Sequence, residues 1–153
     1  MDILITHPNG IEDQPDLIEK IIGKLRKEKF LTHDLTLQKD GIQKKYLGVC
    51  KLIDIDNNKN KHRRLDIILV PPNEKATALM YFTGSAHFNR SMRLLASKSG
   101  MSLSEHSLRT NVIRGGLSKK EKLNKGHTLA TPTEESIFKH LGLIYRPPNE
   151  RNH

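Results

Sequence analysis

The sequence contains one cysteine, Cys50, and no apolar stretch that approaches the length of a membrane span. A single cysteine excludes a disulfide within the chain and cannot complete a thiolate zinc site. The eight histidines show no paired spacing that suits zinc. Asp2 and the short apolar run after it lack the charged and apolar regions of a secretion signal, so we expect none. These absences predict a soluble protein of a reducing, intracellular compartment.

Acidic residues are scarce relative to basic ones. The 153 residues include 26 Lys and Arg against 17 Asp and Glu, which gives a net charge of +9. This balance favours a polyanionic partner, because each phosphate that is neutralised releases counterions. Charge alone leaves a merely solvated basic surface equally open. The length suits one ordinary domain or two small lobes, and recurring apolar stripes predict a folded chain.

Residues 1–72 predict an α+β unit with a mixed sheet. Four segments have the pattern of strands: Asp2–Thr6, Leu31–Gln38, Lys45–Leu52 and Arg63–Val70. Between the first two, Asp13 can cap a helix. The apolar stripe of that helix consists of Leu17, Ile18, Ile21, Ile22 and Leu25. Lys39-Asp40-Gly41 indicates a hairpin, so we expect a sheet covered by one helix.

Residues 73–153 predict a smaller α/β unit, because Pro71-Pro72 ends the sheet. Two helices, Glu74–Tyr81 and Ser85–Ser99, are joined at a glycine. Short strands at 101–105 and 107–113 precede a basic loop that runs from Arg114 to Lys125. Thr131-Pro132-Thr133-Glu134 has the capping-box pattern with proline at the first helical position, which predicts a last helix through His140.

Two carboxylates in the first unit are candidates for chemistry. Arg64 and Asp66 lie two positions apart on a predicted strand, so they share one face of it. An acid beside an arginine stays ionised, as a metal ligand or a proton acceptor must. Asp2 is a second carboxylate at a strand edge, and carboxylates from neighbouring strands can converge on Mg²⁺. The commoner alternatives are a surface ion pair for Arg64 and Asp66 and an ordinary polar residue for Asp2.

The helix that begins near Ser85 is the candidate binding element. Tyr81 and Phe82 stand before Gly84, where a flat aromatic wall and a close backbone approach would suit a sugar and a base. Asn89 and Arg93 are one helical turn apart and could hydrogen-bond base edges from the minor-groove side. The aromatic pair is more commonly part of a core, and the helix face could be merely solvated.

Taken together, Tyr81-Phe82-Thr83-Gly84-Ser85 followed by Phe88-Asn89 and Met92-Arg93 resembles the X-family DNA polymerases. This group includes DNA polymerase beta, DNA polymerase lambda and terminal transferase. The lambda branch is most similar at Ile5–Pro8, Lys45–Cys50, Ser85–Arg93 and Met101–His106, and Ile68 supports it. The resemblance covers almost the whole chain, and it implies a partial palm at 1–72 and a thumb at 73–153.

The resemblance also implies roles for single residues. Asp2 and Asp66 match metal-binding aspartates, Asp66 also accepts the proton of the primer 3′-hydroxyl, and Arg64 orients it. Residues that match positions around the incoming nucleotide are Tyr81, Phe82, Gly84, Ala86 and Asn89. Residues that match DNA contacts or their support are Lys45, Arg90, Arg93 and Glu105, the last of which helps to position the helix of Arg93.

In this family a strand with Gly-Asp-x-Asp supplies two metal-binding aspartates. Asp2 matches the second of them and Met1 stands at x. We therefore expect the chain to be the remaining palm and the thumb of a longer polymerase, with little or no activity on its own.

The reaction that the resemblance implies is DNA-directed, Mg²⁺-dependent addition of deoxynucleotides to a primer 3′-hydroxyl during gap filling in base excision repair. Mn²⁺ could replace Mg²⁺. The expected partners are gapped or primer–template DNA and a deoxynucleoside triphosphate, with no membrane, for a nuclear monomer. The alternative is a non-catalytic fragment that binds DNA through its basic surface.

Overall fold

A computed structural model describes residues 1–10, 16–36, 44–51, 61–115 and 121–152, with the backbone alone at 121 and 122. The chain forms two compact units, Met1–Pro72 and Asn73–His153. Each unit combines helices and strands, which confirms the predicted α+β class. In the described ranges, no helix is both long and apolar enough to span a bilayer.

The first unit contains a four-stranded sheet with the spatial order β1-β4-β3-β2. Its strands are β1 (Asp2–Ile5), β2 (Leu31–Asp34), β3 (Lys45–Lys51) and β4 (His62–Leu69). Strand β1 pairs with β4 in parallel, and the other two pairings are antiparallel. Because β4 lies between β1 and β3, its side chains have neighbouring strands on both sides.

Helix α1 (Leu17–Lys27) packs on one face of this sheet. Its predicted apolar stripe is confirmed: Ile18 and Ile22 are buried, while Leu17, Ile21 and Leu25 pack against the same core. The sheet contributes alternate residues to that core, as a period of two requires: Leu31, Tyr46, Cys50, Leu65, Ile67 and Leu69. The predicted Asp13 cap and the predicted Lys39-Asp40-Gly41 hairpin lie outside the described residues.

The second unit packs three helices against short strands. The helices are α2 (Lys75–Thr83), α3 (Ala86–Lys98) and α4 (Glu134–His140). Strands β5 (Ser102–Leu103), β6 (Leu108–Thr110) and β9 (His127–Thr128) form one sheet, and β7 (Ile113–Gly115) pairs with β8 (Glu121–Asn124). The core joins all three helices to this sheet and includes Met80, Phe88, Met92, Leu108, Ile137 and Phe138.

Two sequence expectations for this unit were wrong in detail. The single strand expected at 107–113 is interrupted at Asn111, whose φ of +55° lies in the left-handed region that asparagine tolerates. The expected basic loop is instead flanked by paired strands β7 and β8, and its residues 116–120 lie outside the described ranges. A strand pair of this kind depends on the partner strand, which single-segment patterns do not reveal.

The start of α4 also differs from expectation. Thr133, not Thr131, is the N-cap, and its hydroxyl accepts a hydrogen bond from the Ser136 amide at 3.3 Å. The Thr133 amide in turn donates a hydrogen bond to the Ser136 hydroxyl oxygen, which completes a capping box. Two overlapping cap patterns lie two residues apart in this segment, and the one that forms places Pro132 before the cap.

Candidate active site

The two predicted carboxylates lie side by side on the first unit's sheet. In the parallel pairing of β1 with β4, Asp2 is directly opposite Asp66. Paired residues of neighbouring strands project from the same face, so both carboxylates stand on the face opposite α1. We call this the Asp66 face, and it carries Asp2, Lys45, Leu47, Arg64 and Asp66.

Asp66 is only 8% exposed although it carries a carboxylate. It lies in the middle of the sheet, with Asp2 on β1 to one side and Leu47 on β3 to the other. A buried charge is costly unless it is paired. Arg64 supplies the pairing: its Nε donates to Oδ1 at 3.0 Å and its Nη2 donates to Oδ2 at 3.2 Å. The carboxylate is therefore paired and fixed in orientation.

Both acids on this face raise the pKa of Arg64. Its hydrogen bond with Asp66 and the charge of Asp66 raise the pKa of the guanidinium above its usual value, and the charge of Asp2 adds to the increase. The Arg64 side chain is 62% exposed, so it stays largely accessible to solvent although it is paired. Each Asp66 oxygen retains a lone pair beyond the one that Arg64 uses.

Lys45 belongs to the same face. It lies opposite Ile68 on β4, one position along the face from the pair formed by Leu47 and Asp66. Its position on the exposed surface near a carboxylate cluster is compatible with the predicted backbone contact to DNA. That role stays a prediction.

In the second unit, one surface groove brings together several of the predicted binding residues. Its lining is formed by side chains from the C-terminal half of α2 and one face of α3: Tyr81, Ala86, Asn89, Arg90 and Arg93. The other α3 residues follow Ala86 by three, four and seven positions, which places all of them along a single stripe of the helix. Two guanidinium groups, an amide and a phenol ring make this groove suited to an anionic, partly aromatic ligand.

Asn89 is held in place by a hydrogen bond to α2. Its Nδ2 donates to the Tyr81 carbonyl oxygen at 2.7 Å. Because that oxygen can only accept, the amide nitrogen must face it, which leaves the second Nδ2 hydrogen and the Oδ1 atom available. Tyr81 and Phe82 meet edge to face, with ring centroids 5.1 Å apart. The predicted aromatic wall is therefore one rigid pair.

The connection between α2 and α3 requires glycine at position 84. Gly84 has φ +73° and ψ −151°, in a region that essentially only glycine occupies. The Gly84–Ser85 peptide is cis. Ser85 then caps α3, with its hydroxyl accepting a hydrogen bond from the Phe88 amide. The groove therefore begins at a turn whose backbone is defined by one residue.

Glu105 lies in the turn between β5 and β6, away from the groove lining. Its carboxylate is 4.0 Å from Nε2 of His106, and the other ring nitrogen of His106 is 2.7 Å from the Glu74 carboxylate. The predicted support of the Arg93 helix by Glu105 stays a prediction.

Sequence reasoning missed Arg151, which has the lowest exposed fraction among the charged residues that the structure describes in the second unit. It lies beyond Pro147-Pro148, in a segment with no helix or strand pattern. There the chain turns through a short 3₁₀ helix, Pro148–Glu150, and buries Arg151 completely. An arginine in a segment without helix or strand periodicity carries no burial signal, because burial of a charge depends on distant partners.

Metal-ligating groups are few on the described surface. Across residues 1–10, 16–36, 44–51, 61–115 and 121–152, no cluster of three or more His, Cys, Asp and Glu side chains could hold a metal ion. The two aspartates of the Asp66 face are a smaller set. Two carboxylates suffice for Mg²⁺ when substrate phosphates and waters complete its coordination.

Comparison with known proteins assigns both units. The DNA polymerase beta palm model matches residues 1–72, and the DNA polymerase beta thumb model matches residues 78–152. Rat (Rattus norvegicus) DNA polymerase lambda is 53% identical over 153 residues, which is 99% of this chain and 26% of that protein. DNA nucleotidylexotransferases from Bos taurus and Homo sapiens are 30% and 31% identical, over 99% of this chain and 32% of each relative.

Residues 1–72 are therefore a palm, and residues 78–152 a thumb, of the DNA polymerase beta type. The chain belongs to the X-family DNA polymerases, which confirms the resemblance found in the sequence. It spans about a quarter to a third of the length of the curated relatives that it matches.

Proposed function

We propose that the protein contributes to repair-type DNA synthesis, in which a deoxynucleotide is transferred from its triphosphate to a primer 3′-hydroxyl in gapped DNA. The observation that carries the proposal is the register of Asp2 opposite Asp66, with Arg64 bound to Asp66 through both carboxylate oxygens. Two acids on one sheet face, one of them fixed by an arginine, are among the groups that support an in-line attack on a phosphate.

Asp2 and Asp66 would hold Mg²⁺, or Mn²⁺ in its place. The donor set fits, because both ligands are carboxylates, at the same register and on the same face. When bound, the metal supplies charge stabilisation for the attacking and leaving oxygens of phosphoryl transfer. The enclosed position of Asp66 excludes much of the competing water, which strengthens its electrostatic interactions.

Arg64 and Asp66 would act on the primer hydroxyl. Asp66 accepts its proton, and the two hydrogen bonds from Arg64 hold the carboxylate in one orientation during that transfer. Arg64 cannot itself act as a base, because Asp66 raises its already high pKa. Lys45, on the same sheet face, would contact the DNA backbone.

The groove on α3 would select the nucleotide. Asn89 has a second amide hydrogen after its bond to Tyr81, and the minor-groove edge of every base presents an acceptor at N3 or O2. Such a contact reads the shape of a base pair without reading its identity. Arg93 would lie near the templating base and Arg90 near DNA phosphates, while the edge-to-face pair of Tyr81 and Phe82 packs against the sugar.

Gly84 would set sugar selectivity. Its backbone conformation brings the chain between α2 and α3 into a tight turn next to Tyr81 and Phe82. A backbone at this position would crowd a 2′-hydroxyl and favour deoxyribonucleotides. The expected setting is a nuclear, monomeric repair enzyme.

Primer extension on one-nucleotide-gapped DNA tests the proposal. The wild-type chain, Asp66→Asn and the control Glu19→Gln would be compared with Mg²⁺, with Mn²⁺ and without either. Glu19 is an exposed acid on α1, which covers the opposite sheet face, so it matches the charge change. We expect weak, metal-dependent extension by the wild-type chain, which falls to the level without metal in Asp66→Asn and is unchanged in Glu19→Gln. Equal extension by Asp66→Asn would overturn the proposed role.

A second function, DNA binding without catalysis, is favoured by the net charge of +9 and by the small carboxylate set of the described residues. Titration of labelled gapped DNA at several salt concentrations separates the two. Binding that weakens steeply with salt and survives Asp66→Ala, with no extension by the wild-type chain, would support this second function. Absence of binding at low salt would exclude it.

A further inference from the structure

The C-terminal segment of the second unit ends in a fully buried, fully bonded arginine. Arg151 is 0% exposed, and its two terminal nitrogens donate to both Glu134 oxygens at 2.9 and 3.0 Å. Its Nε donates to the Arg146 carbonyl at 2.9 Å. The guanidinium carbon also lies 5.4 to 5.6 Å from three ring centroids, those of Phe88, Phe138 and Tyr145.

Two of these contacts reach the start of α3. The Phe88 ring under the guanidinium belongs to the first turn of the helix. In addition, the Arg151 carbonyl accepts a hydrogen bond from the Ser85 hydroxyl at 2.9 Å. The same hydroxyl accepts from the Phe88 amide and thereby caps α3. Arg151 therefore fixes the N-cap residue and the helix beneath it from two directions.

The first turn of α3 leads directly to the groove. The Ser85 carbonyl accepts from the Asn89 amide at 2.9 Å, and the Asn89 side chain donates to the Tyr81 carbonyl. Asn89 is one turn from the cap, about 6 Å along the helix axis. A shift of the cap therefore changes the position of Asn89 relative to Tyr81.

An ion pair is a directional way to anchor a helix. Apolar residues of similar volume often stabilise a fold as well as a buried ion pair does, but a bidentate pair adds a defined geometry. We propose that Arg151 is a positioning residue for nucleotide selection, which acts through Ser85 and Phe88 on Asn89. This inference rests on the proposed function for its effect on nucleotides, whereas the positioning of Asn89 can be measured without it.

The first experiment compares Arg151→Lys with Leu108→Ala. Lysine keeps the charge but loses the bidentate geometry and the planar stacking. Leu108 is buried in the same core and takes no part in the Arg151 hydrogen bonds, so its variant controls for lost stability. Complementary and mismatched deoxynucleotides would be titrated into the chain bound to gapped DNA, well below both unfolding temperatures.

We expect Arg151→Lys to raise the Kd of the complementary nucleotide about tenfold and to reduce its preference over the mismatch. The Kd of gapped DNA should change less than about twofold, since the variant replaces no side chain that is proposed to contact DNA. Leu108→Ala should leave both constants unchanged. Unchanged nucleotide affinity and discrimination in a folded Arg151→Lys protein would overturn the proposal.

A second experiment is independent of nucleotide binding and of how well Arg151→Lys folds. Ser85→Thr keeps a hydroxyl that caps α3 and donates to Arg151, whereas Ser85→Asp keeps the cap acceptor and removes the donor. The side-chain amide resonances of Asn89 in ¹⁵N spectra report its bond to Tyr81. We expect Ser85→Thr to preserve these resonances and Ser85→Asp to shift them and accelerate their hydrogen exchange.

Identical Asn89 resonances in Ser85→Asp and wild type would overturn the positioning inference. If the wild-type chain binds no nucleotide but the Asn89 signals respond as expected, the proposed function fails and the positioning stands. The opposite result is also distinguishable. If the wild-type chain binds nucleotide, but Arg151→Lys leaves the nucleotide affinity unchanged and Ser85→Asp leaves the Asn89 resonances unchanged, the positioning fails and the proposed function stands.

Discussion

Arg151 and Glu134 form a bidentate ion pair inside the second unit, with their side chains 0% and 10% exposed. Glu134 is the first residue of α4 and Arg151 follows the last 3₁₀ turn, so the pair joins the two ends of the C-terminal segment. Tyr145 also donates to Glu134, at 3.3 Å. The second unit is thus closed by a charged network rather than by apolar side chains alone.

Glu134→Ala should destabilise the second unit by about 3–5 kcal/mol, because it leaves the buried Arg151 guanidinium without a counterion. Urea unfolding followed by circular dichroism measures the change. The control is Arg26→Ala, which breaks an ion pair with Asp34 whose side chains are 47% and 42% exposed. That variant should lose less than about 1 kcal/mol. Equal losses in the two variants would show that burial does not set the difference.

Gly84→Ala should destabilise the chain by about 1–3 kcal/mol, because a side chain at φ +73° and ψ −151° is strained. Space is not the cause, since an added Cβ would meet only the Ala86 nitrogen, at 3.4 Å. Thermal unfolding measures the loss, and the Tyr81 and Asn89 resonances should shift with it. A Gly84→Ala protein as stable as wild type would contradict this reading of the turn.

Gly23→Ala should stabilise the chain, in contrast to Gly84→Ala. Gly23 lies within α1, and an added Cβ there would meet nothing within 4 Å. Alanine reduces the backbone entropy lost on folding, so the helix should gain about 0.5–1 kcal/mol. Chemical unfolding of the variant beside wild type tests it, and a decrease in stability would mean that the helix needs glycine at this position.

Tyr46→Phe should lower stability by about 1–2 kcal/mol near neutral pH. The Tyr46 hydroxyl donates to Asp34 Oδ1 at 2.5 Å, and a hydrogen bond to a charged group contributes about 1.5–3 kcal/mol. The expected loss is at the lower end because the Asp34 side chain is 42% exposed, so water can bond to it in the variant. Urea unfolding measures the change against wild type.

The same bond predicts how the deficit depends on pH. Burial and the bond to Asp34 raise the pKa of Tyr46 from 10.0 to about 12, so its contribution is complete below pH 10 and is lost as the pH rises towards 12. The bond to Tyr46 lowers the pKa of Asp34 below 3.8, so that contribution is lost as the pH falls through the lowered value. The difference in the free energy of unfolding between Tyr46→Phe and wild type should therefore shrink at both low and high pH. A constant difference from pH 3 to pH 12 would contradict the assignment.

Local patterns predicted much of the first unit because its two faces are chemically distinct. The stripe from Leu17 to Leu25 and the alternation along β4 were confirmed, and the same alternation put Arg64 and Asp66 on one face. In the second unit, local patterns did not predict the short segments correctly. The cap that was predicted at Thr131 forms at Thr133, and strands β7 and β8 are too short to be recognised without each other.

The amino-acid sequence by itself determined the family, the α+β class and which side chains could carry chemistry, because residue type and spacing are local properties. Tertiary structure alone decided that Asp2 faces Asp66, that Asn89 bonds to the Tyr81 carbonyl, and that Arg151 is buried. Strand register and the burial of a charge depend on partners distant in the chain, such as the 64 positions between residues 2 and 66. No pattern within one segment contains that information.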